Sequence, residues 1–339
     1  MKLSKIFWAV PALMLAGCTN QPQREGEAPP MPTGSPAAPQ TGGAQIAQGD
    51  LDKVAKAGRP WKLALVVKTR NNPFFSPMIA QAKAEAKKLG VDLEVQAPAQ
   101  ESDKERQFAI VQDLVARKVD AILIAPADSK AIVPALKQAQ AKGVVVVNLD
   151  NRVDALSAQQ AGLGTVPYVG ADNEAGGKLA GATLSAALGD KGKVLVLEGI
   201  RGADNAEARK RGFMAAKGKL EVAASESAEW DTQKAYAKTQ NMLAAHGDVT
   251  GVFCANDKMA LGAIKAIRES GKKGKIAVVG YDNIPDVKQY LASGEMKATI
   301  DQHPDLMGSY GVKFAVALLD KKAPAGTELL VPLEVVKGK

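Results

Sequence analysis

Cysteine and histidine are scarce: the 339 residues hold two of each. Cys18 falls in an N-terminal targeting segment and Cys254 in an apolar strand pattern. That excludes a disulfide framework and leaves too few ligands for a His/Cys metal centre. Aromatic residues make up only 4% of the chain, and the Lys and Arg behind its net charge of +8 are scattered beside Glu and Asp on helical faces. Without a basic block interleaved with rings, nucleic acid is not an expected partner. Gly199-Ile200-Arg201-Gly202 is not a G-x-G-x-x-G dinucleotide fingerprint. His246 and His303 have no Ser or Cys nucleophile spaced with them, and His303, just before Pro304, reads as a cap or hinge residue. The chain therefore does not read as an enzyme, and neither a cofactor nor a metal is expected. The apolar run Ile6 to Leu15 is too short to span a bilayer.

That run has a different use. Lys2 and Lys5 supply a positive start, and Leu15-Ala16-Gly17-Cys18 closes it. The segment resembles the signal and lipobox of a bacterial lipoprotein. The resemblance implies that residues 1–17 are a signal peptide, cleaved before Cys18, and that Cys18 carries lipid on its sulfur and amino group. Residues 18–59 follow, rich in Pro, Gly, Ala and Gln, with Ala28-Pro29-Pro30-Met31-Pro32 among them. Such a composition predicts a disordered, lipid-anchored linker.

From Trp61 onward strands and helices alternate. Leu63 to Val67, Ala121 to Ile124 and Val144 to Val147 are apolar runs of the kind buried in parallel sheets. Helical spacings join Phe75, Met78, Ala82, Ala86 and Leu89, ending at Gly90. They also join Phe108, Val111, Leu114 and Val115, and again Ile132, Val133 and Leu136. A second series opens at Tyr168-Val169-Gly170. Strands are predicted over Val194 to Leu197, near Val222, and over Gly251 to Cys254, Ile276 to Val279 and Lys297 to Ile300. Helices are predicted over 174–188, 206–217, 232–246, 258–270, 285–293 and 304–319, followed by an extended tail over 330–336. The class is α/β: two doubly wound, Rossmann-like lobes with parallel sheets and a cleft between them.

Polar residues gather just after the strands, where open α/β sheets bind ligands. Lys68, Asn72, Phe74 and Phe75 follow the first strand, with Asn72 and Pro73 placed as N-cap and first residue of the next helix. Asp150 follows the Val144 strand, Asn256-Asp257 the Phe253 strand, Tyr281-Asp282 the Val279 strand and Asp301-Gln302 the Ile300 strand. Arg209 and Trp230 sit at helix starts or loops of the second series. Singly, each has a plain role as cap, surface pair or core ring. Together they offer carboxylates and amides for hydroxyls, a guanidinium to offset buried charge, and two rings, Phe75 and Trp230, to sandwich the apolar face of a sugar.

These residues carry a family resemblance over nearly the whole body. Leu65-Val66-Val67-Lys68-Thr69 with Asn71-Asn72-Pro73-Phe74-Phe75 resembles the first strand and loop of type I periplasmic sugar-binding proteins of ABC transporters, the ribose- and allose-binding group. Leu149-Asp150, Tyr168 to Asn173, Glu207-Ala208-Arg209, Trp230-Asp231, Ala255 to Gly262 and Ala298 to Gln302 match in the same order. The resemblance implies two lobes joined by three crossings, near Ala171, Gln302 and Leu330. It places the first lobe at 60–171 plus 303–331 and the second at 172–302 plus 332–339. It implies a ligand set of Lys68, Asn72, Phe75, Asp150, Arg209, Trp230, Asn256, Asp282 and Gln302, with Phe74, Arg152 and Asn205 as further candidates. Ribose-type members have Asp-Arg where this chain has Asp150-Asn151, with Arg152 one place later. The 202–207 loop resembles that of glucose/galactose binders. The implied function is closure on a monosaccharide or polyol and delivery to an ABC permease, by a monomeric protein tethered to a membrane outside the cytoplasm. The alternative is a sensor lipoprotein for a sugar or autoinducer-2 that reports to a membrane receptor.

Overall fold

Apolar runs bounded by Gly, Pro and Asp become strands covered on both faces by helices. The computed structural model describes residues 44–338; the expected signal peptide and the lipidation site Cys18 lie outside them. The first series runs α1 (Gln48–Asp52), β1 (Lys62–Val66), α2 (Phe75–Leu89), β2 (Asp92–Gln96), α3 (Lys104–Ala116), β3 (Ala121–Ile124), α4 (Val133–Ala141), β4 (Val145–Leu149), α5 (Ala155–Ala161) and β5 (Tyr168–Gly170). The second runs α6 (Asn173–Leu188), β6 (Lys193–Glu198), α7 (Asp204–Ala216), β7 (Glu221–Ser227), α8 (Thr232–Ala245), β8 (Val249–Cys254), α9 (Asp257–Glu269), β9 (Ala277–Val279), α10 (Lys288–Ala292) and β10 (Ala298–Asp301). The chain then returns through α11 (Pro304–Leu319) and β11 (Glu328–Leu330) and ends in β12 (Glu334–Lys337).

Two six-stranded sheets result, ordered β2-β1-β3-β4-β5-β11 and β7-β6-β8-β9-β10-β12. Counted from its own first strand, each sheet has the same order, with the reversal of direction beside that strand. The chain changes sheet three times: between β5 and α6, between β10 and α11, and between β11 and β12. Two of these crossings lie side by side, since Val331 N–H donates to Gly170 O at 2.9 Å. The sheets are parallel with one exception to the sequence reading: β12 runs antiparallel to β10 along the edge of the second sheet. An edge strand entering from the neighbouring lobe need not follow the βαβ direction.

Four local features differ from the sequence pattern. The helix α2 starts at Phe75, with Phe74 rather than Asn72 at its cap position. Asn72 instead closes a turn, its Oδ1 accepting from Phe74 N at 3.1 Å and its carbonyl from Phe75 N at 3.1 Å; asparagine commonly binds its own backbone two residues on. The helix expected over 285–293 is a 3₁₀ turn, Pro285–Val287, followed by the short α10. The short α5 was invisible in the pattern because it buries none of its residues and so has no apolar stripe.

The fourth difference is a correction to the linker. Residues 44–59 are not a free tether: they pack on the first lobe. Gln45 bridges to Glu328, Leu51 is fully buried, and Asp52 pairs with Lys313 Nζ at 2.7 Å. Gly58 N and Trp61 Nε1 both donate to the Asp320 carboxylate, at 2.9 and 2.8 Å. A five-residue helix does not stand alone in water. Burying Leu51 contributes about 2 kcal/mol toward holding it.

In the second lobe α6 and α7 approach so closely that a Cβ on Gly212 would lie 2.0 Å from Glu174 O. The contact is backbone to backbone, so no side chain can swing away. Gly212→Ala should therefore cost about 1–3 kcal/mol, read as a lower urea midpoint at unchanged m-value. An unchanged midpoint would contradict the close approach.

Candidate functional site

The carboxyl ends of both sheets face one small, narrow cavity. The first lobe supplies Lys68 after β1, Asn72, Phe74 and Phe75 at the start of α2, Glu101 after β2 and Asp150 after β4. The second supplies Asn205 and Arg209 on α7, Trp230 before α8, Asn256 after β8, Asp282 after β9 and Gln302 after β10. Every residue of the expected ligand set is brought to this wall, as are Phe74 and Asn205. Arg152 is not. It pairs with Glu328 on β11, and its guanidinium lies 3.7 Å from the centre of the Tyr168 ring, beside the first crossing. The carboxylate of a neighbouring strand holds it away from the cavity.

Sequence reasoning missed Glu101. It follows no long apolar run, only the alternating β2, yet it occupies the same strand-end position as its neighbours. Asn72 Nδ2 donates to its Oε1 at 2.8 Å. Burial pushes the Glu101 carboxyl above its usual range, and the Lys68 charge works against that rise. Lys68 Nζ itself lies 2.9 Å from Asp150 Oδ2, with both side chains buried.

In the second lobe Arg209 is 2% exposed and fixed on several sides. Its Nε donates to Asn173 Oδ1 at 2.8 Å, and its Nη1 to Ala255 O at 2.9 Å and, at 3.5 Å, to Asp282 Oδ1. Its guanidinium stacks 3.7 Å from the Tyr281 ring centre, an attraction that grows when water is excluded. Gln302 Nε2 donates to Asp282 Oδ1 at 2.7 Å. Burial pushes the Asp282 carboxyl up to about 7, with Arg209 pulling it down.

Beneath this layer Asp257 clamps the turn that carries Asp282. Fully buried, it accepts from Tyr281 N at 2.9 Å, Ile284 N at 3.1 Å and Thr299 Oγ1 at 2.9 Å. Its own carboxyl is held well above the usual range by burial and by Asp282. Asn256 has two roles, since its Oδ1 caps α9 by accepting from Met259 N at 2.9 Å. Trp230 packs closely against Gly199, where a Cβ would come within 2.0 Å of the indole. Asp150, Trp230 and Asp282 all have positive φ, at 57°, 61° and 108°. Such conformations cost of order 1–3 kcal/mol each and collect where a site fixes its side chains.

The cavity is rich in acceptors. Three carboxylates, Glu101, Asp150 and Asp282, face two cations, Lys68 and Arg209. Asp150 Oδ1, Asn205 Oδ1 and Gln302 Oε1 are buried without a hydrogen-bond donor among the described residues, while Asp150 Oδ2 is paired with the Lys68 ammonium at 2.9 Å. Leaving such atoms unmatched costs about 1–3 kcal/mol each. A ligand that brings hydroxyl donors relieves this cost, and an anion adds to it. Apolar faces of Phe75 and Trp230, one from each lobe, complete a setting for a polyhydroxylated ring.

Comparison with known proteins gives a consistent answer. Residues 63–323 match the model of the periplasmic binding protein domain. A D-ribose/D-allose-binding protein of Pseudomonas aeruginosa is 39% identical over 268 residues, covering 78% of this chain and 83% of that protein. The ribose import binding protein RbsB of Escherichia coli is 39% identical over 277 residues, covering 79% and 90%. Among solved structures, an ABC transporter periplasmic solute-binding protein from Actinobacillus succinogenes with bound D-allose superposes with a TM-score of 0.76. It is 39% identical and covers 82% of this chain and 97% of its own.

Asp150→Ala and Arg209→Ala should each weaken the cleft's ligand by roughly 2–5 kcal/mol, the scale for breaking a buried charged hydrogen-bond pair. Titration calorimetry reads this directly, and near-normal affinity in both variants would contradict the site.

Proposed function

The chain belongs to the periplasmic binding protein family, and on that premise we infer that it is the sugar-capturing component of an ABC importer, acting outside the cytoplasm. The observation that carries this reading is the set of buried, unmatched acceptors contributed by both lobes. Asp150 receives hydroxyl donors from one side, and Asn205 and Gln302 from the other. Lys68, Asn72, Arg209 and Asn256 donate to ring and hydroxyl oxygens. Phe75 and Trp230 cover the C–H faces. Contacts from both lobes bind the ligand fully only when the cleft is shut, so the sugar stabilises the closed form by its difference in affinity between the two forms. The closed form is then what a membrane permease reads.

The ligand class is a monosaccharide pyranose of the allose type. A lysine at position 68 and the large Trp230 ring fit a six-membered sugar with one more hydroxyl than ribose. The protein works as a monomer, held at a membrane by lipid on Cys18.

A thermal-melt screen of the full chain against D-allose, other hexoses, pentoses, polyols and inositols tests the ligand class. A ligand present at 100 times its dissociation constant adds about 2.7 kcal/mol to the folded state, a clear rise in midpoint. A hexose should give the largest rise, and no rise with any of these compounds would contradict a sugar-binding role. The anchor is tested separately by feeding labelled fatty acid to expressing cells. Cys18→Ala should lose both the label and its place in the membrane fraction, and retention of both would contradict lipid attachment at Cys18.

A further inference from the structure

The two lobes touch through hydrogen bonds at one place besides the crossings. Among the described residues, three such bonds join them there, and all involve the start of α7. Ser129 N donates to Gly202 O at 3.3 Å. Asp204 N donates to Ser129 Oγ at 3.0 Å. Asn205 N donates to Asn151 Oδ1 at 3.1 Å. The first-lobe partners are fully or nearly fully buried, Asn151 at 0% and Ser129 at 3% exposure. They are also held rigidly: Asn151 Nδ2 donates to Pro126 O at 2.9 Å and to Ser129 Oγ at 3.2 Å. That fixes which way the amide faces and leaves its oxygen for Asn205.

The first N–H groups of a helix have no partner within the helix. In α7 two of them are met by side chains of the opposite lobe. Neither Ser129 nor Asn151 lines the cavity, while Asn205, which does, carries one of the two donors. From this juxtaposition we propose that Ser129 and Asn151 form a closure latch for the N-terminus of α7, holding the cleft shut without touching the ligand. The latch rests on the reading that the lobes close on a ligand. It binds the closed form only, so it lengthens the time a solute stays captured and strengthens every ligand of the cleft by the same factor.

A proline at position 204 isolates the latch. Asp204 is the first residue of α7, and Ala203 before it is extended, at φ −91° and ψ 121°. Proline is tolerated at a first helical position and after an extended residue, so Asp204→Pro removes the N–H donor while leaving the helix. Asp204→Ala is its control, losing the carboxylate but keeping the N–H. Full-length protein carrying Ala80→Cys on α2 and Ala237→Cys on α8, both exposed positions, is labelled for single-molecule energy transfer. Closed and open populations are then counted with and without D-allose.

The ratio of closed to open molecules should be about twofold to tenfold lower in Asp204→Pro than in Asp204→Ala, the usual worth of a hydrogen bond. Where several sugars bind, their order of affinity should stay the same. Equal ratios in the two variants, or a changed order of sugars, overturns the latch. Failure of D-allose and every other sugar to raise the closed population of the unsubstituted chain is a different result. It would overturn the sugar reading, while the comparison of the two variants without sugar still decides the latch.

Discussion

A single buried guanidinium organises the second lobe's half of the site. Arg209 reaches from α7 to Asn173 at the start of α6, to the carbonyl after β8 and to Asp282 after β9, with the Tyr281 ring beneath it. A buried charge without partners is very costly, so every group that satisfies Arg209 is held to its place. Of those groups Asp282, like Arg209 itself, lines the cavity. The same guanidinium lowers the cost of burying Asp282, which Asp150 and Glu101 raise. Polar groups that would each be unfavourable alone support one another, and among the acceptors left unmatched those of Asn205 and Gln302 belong to the cavity lining.

The second constraint is topological. Each sheet reverses direction beside its first strand, and the carboxyl ends of both sheets meet at the cavity. Successive strands therefore each deliver a polar side chain to one point. Of the three crossings between sheets, the one from β10 to α11 brings Gln302 to it. His303 opens α11 in the left-handed region, at φ 50°, so the backbone bends sharply where the chain returns to the first lobe. A few connections of this kind let two rigid bodies move as units.

Much of this was legible in the sequence because it follows from strand position. Lys68, Asp150, Asn256, Asp282 and Gln302 come directly after apolar runs that can only be buried strands, and strand ends are where such sheets bind. Arg209 and Trp230 gain meaning from family resemblance, since a helical arginine and a loop tryptophan have ordinary roles elsewhere. Glu101 escaped notice because the half-buried β2 lacks an apolar run and the residues after it carry no periodic signal. Arg152 was drawn toward the site by its nearness to Asp150, but only the folded chain brings Glu328 beside it. The packing of residues 44–59 was hidden for a similar reason. Asp52 and Gly58, at the end of the linker stretch, do not reveal that Lys313 and Asp320 respectively await them some 260 positions later.

The central claim is that acceptors from both lobes engage one sugar at the same time. A crystal structure with the sugar selected by the melting screen tests it most directly. The account predicts closed lobes, with sugar hydroxyls within hydrogen-bond distance of Asp150 and Gln302 and the ring between Phe75 and Trp230. A sugar bound to one lobe alone, or at any other surface, would contradict it.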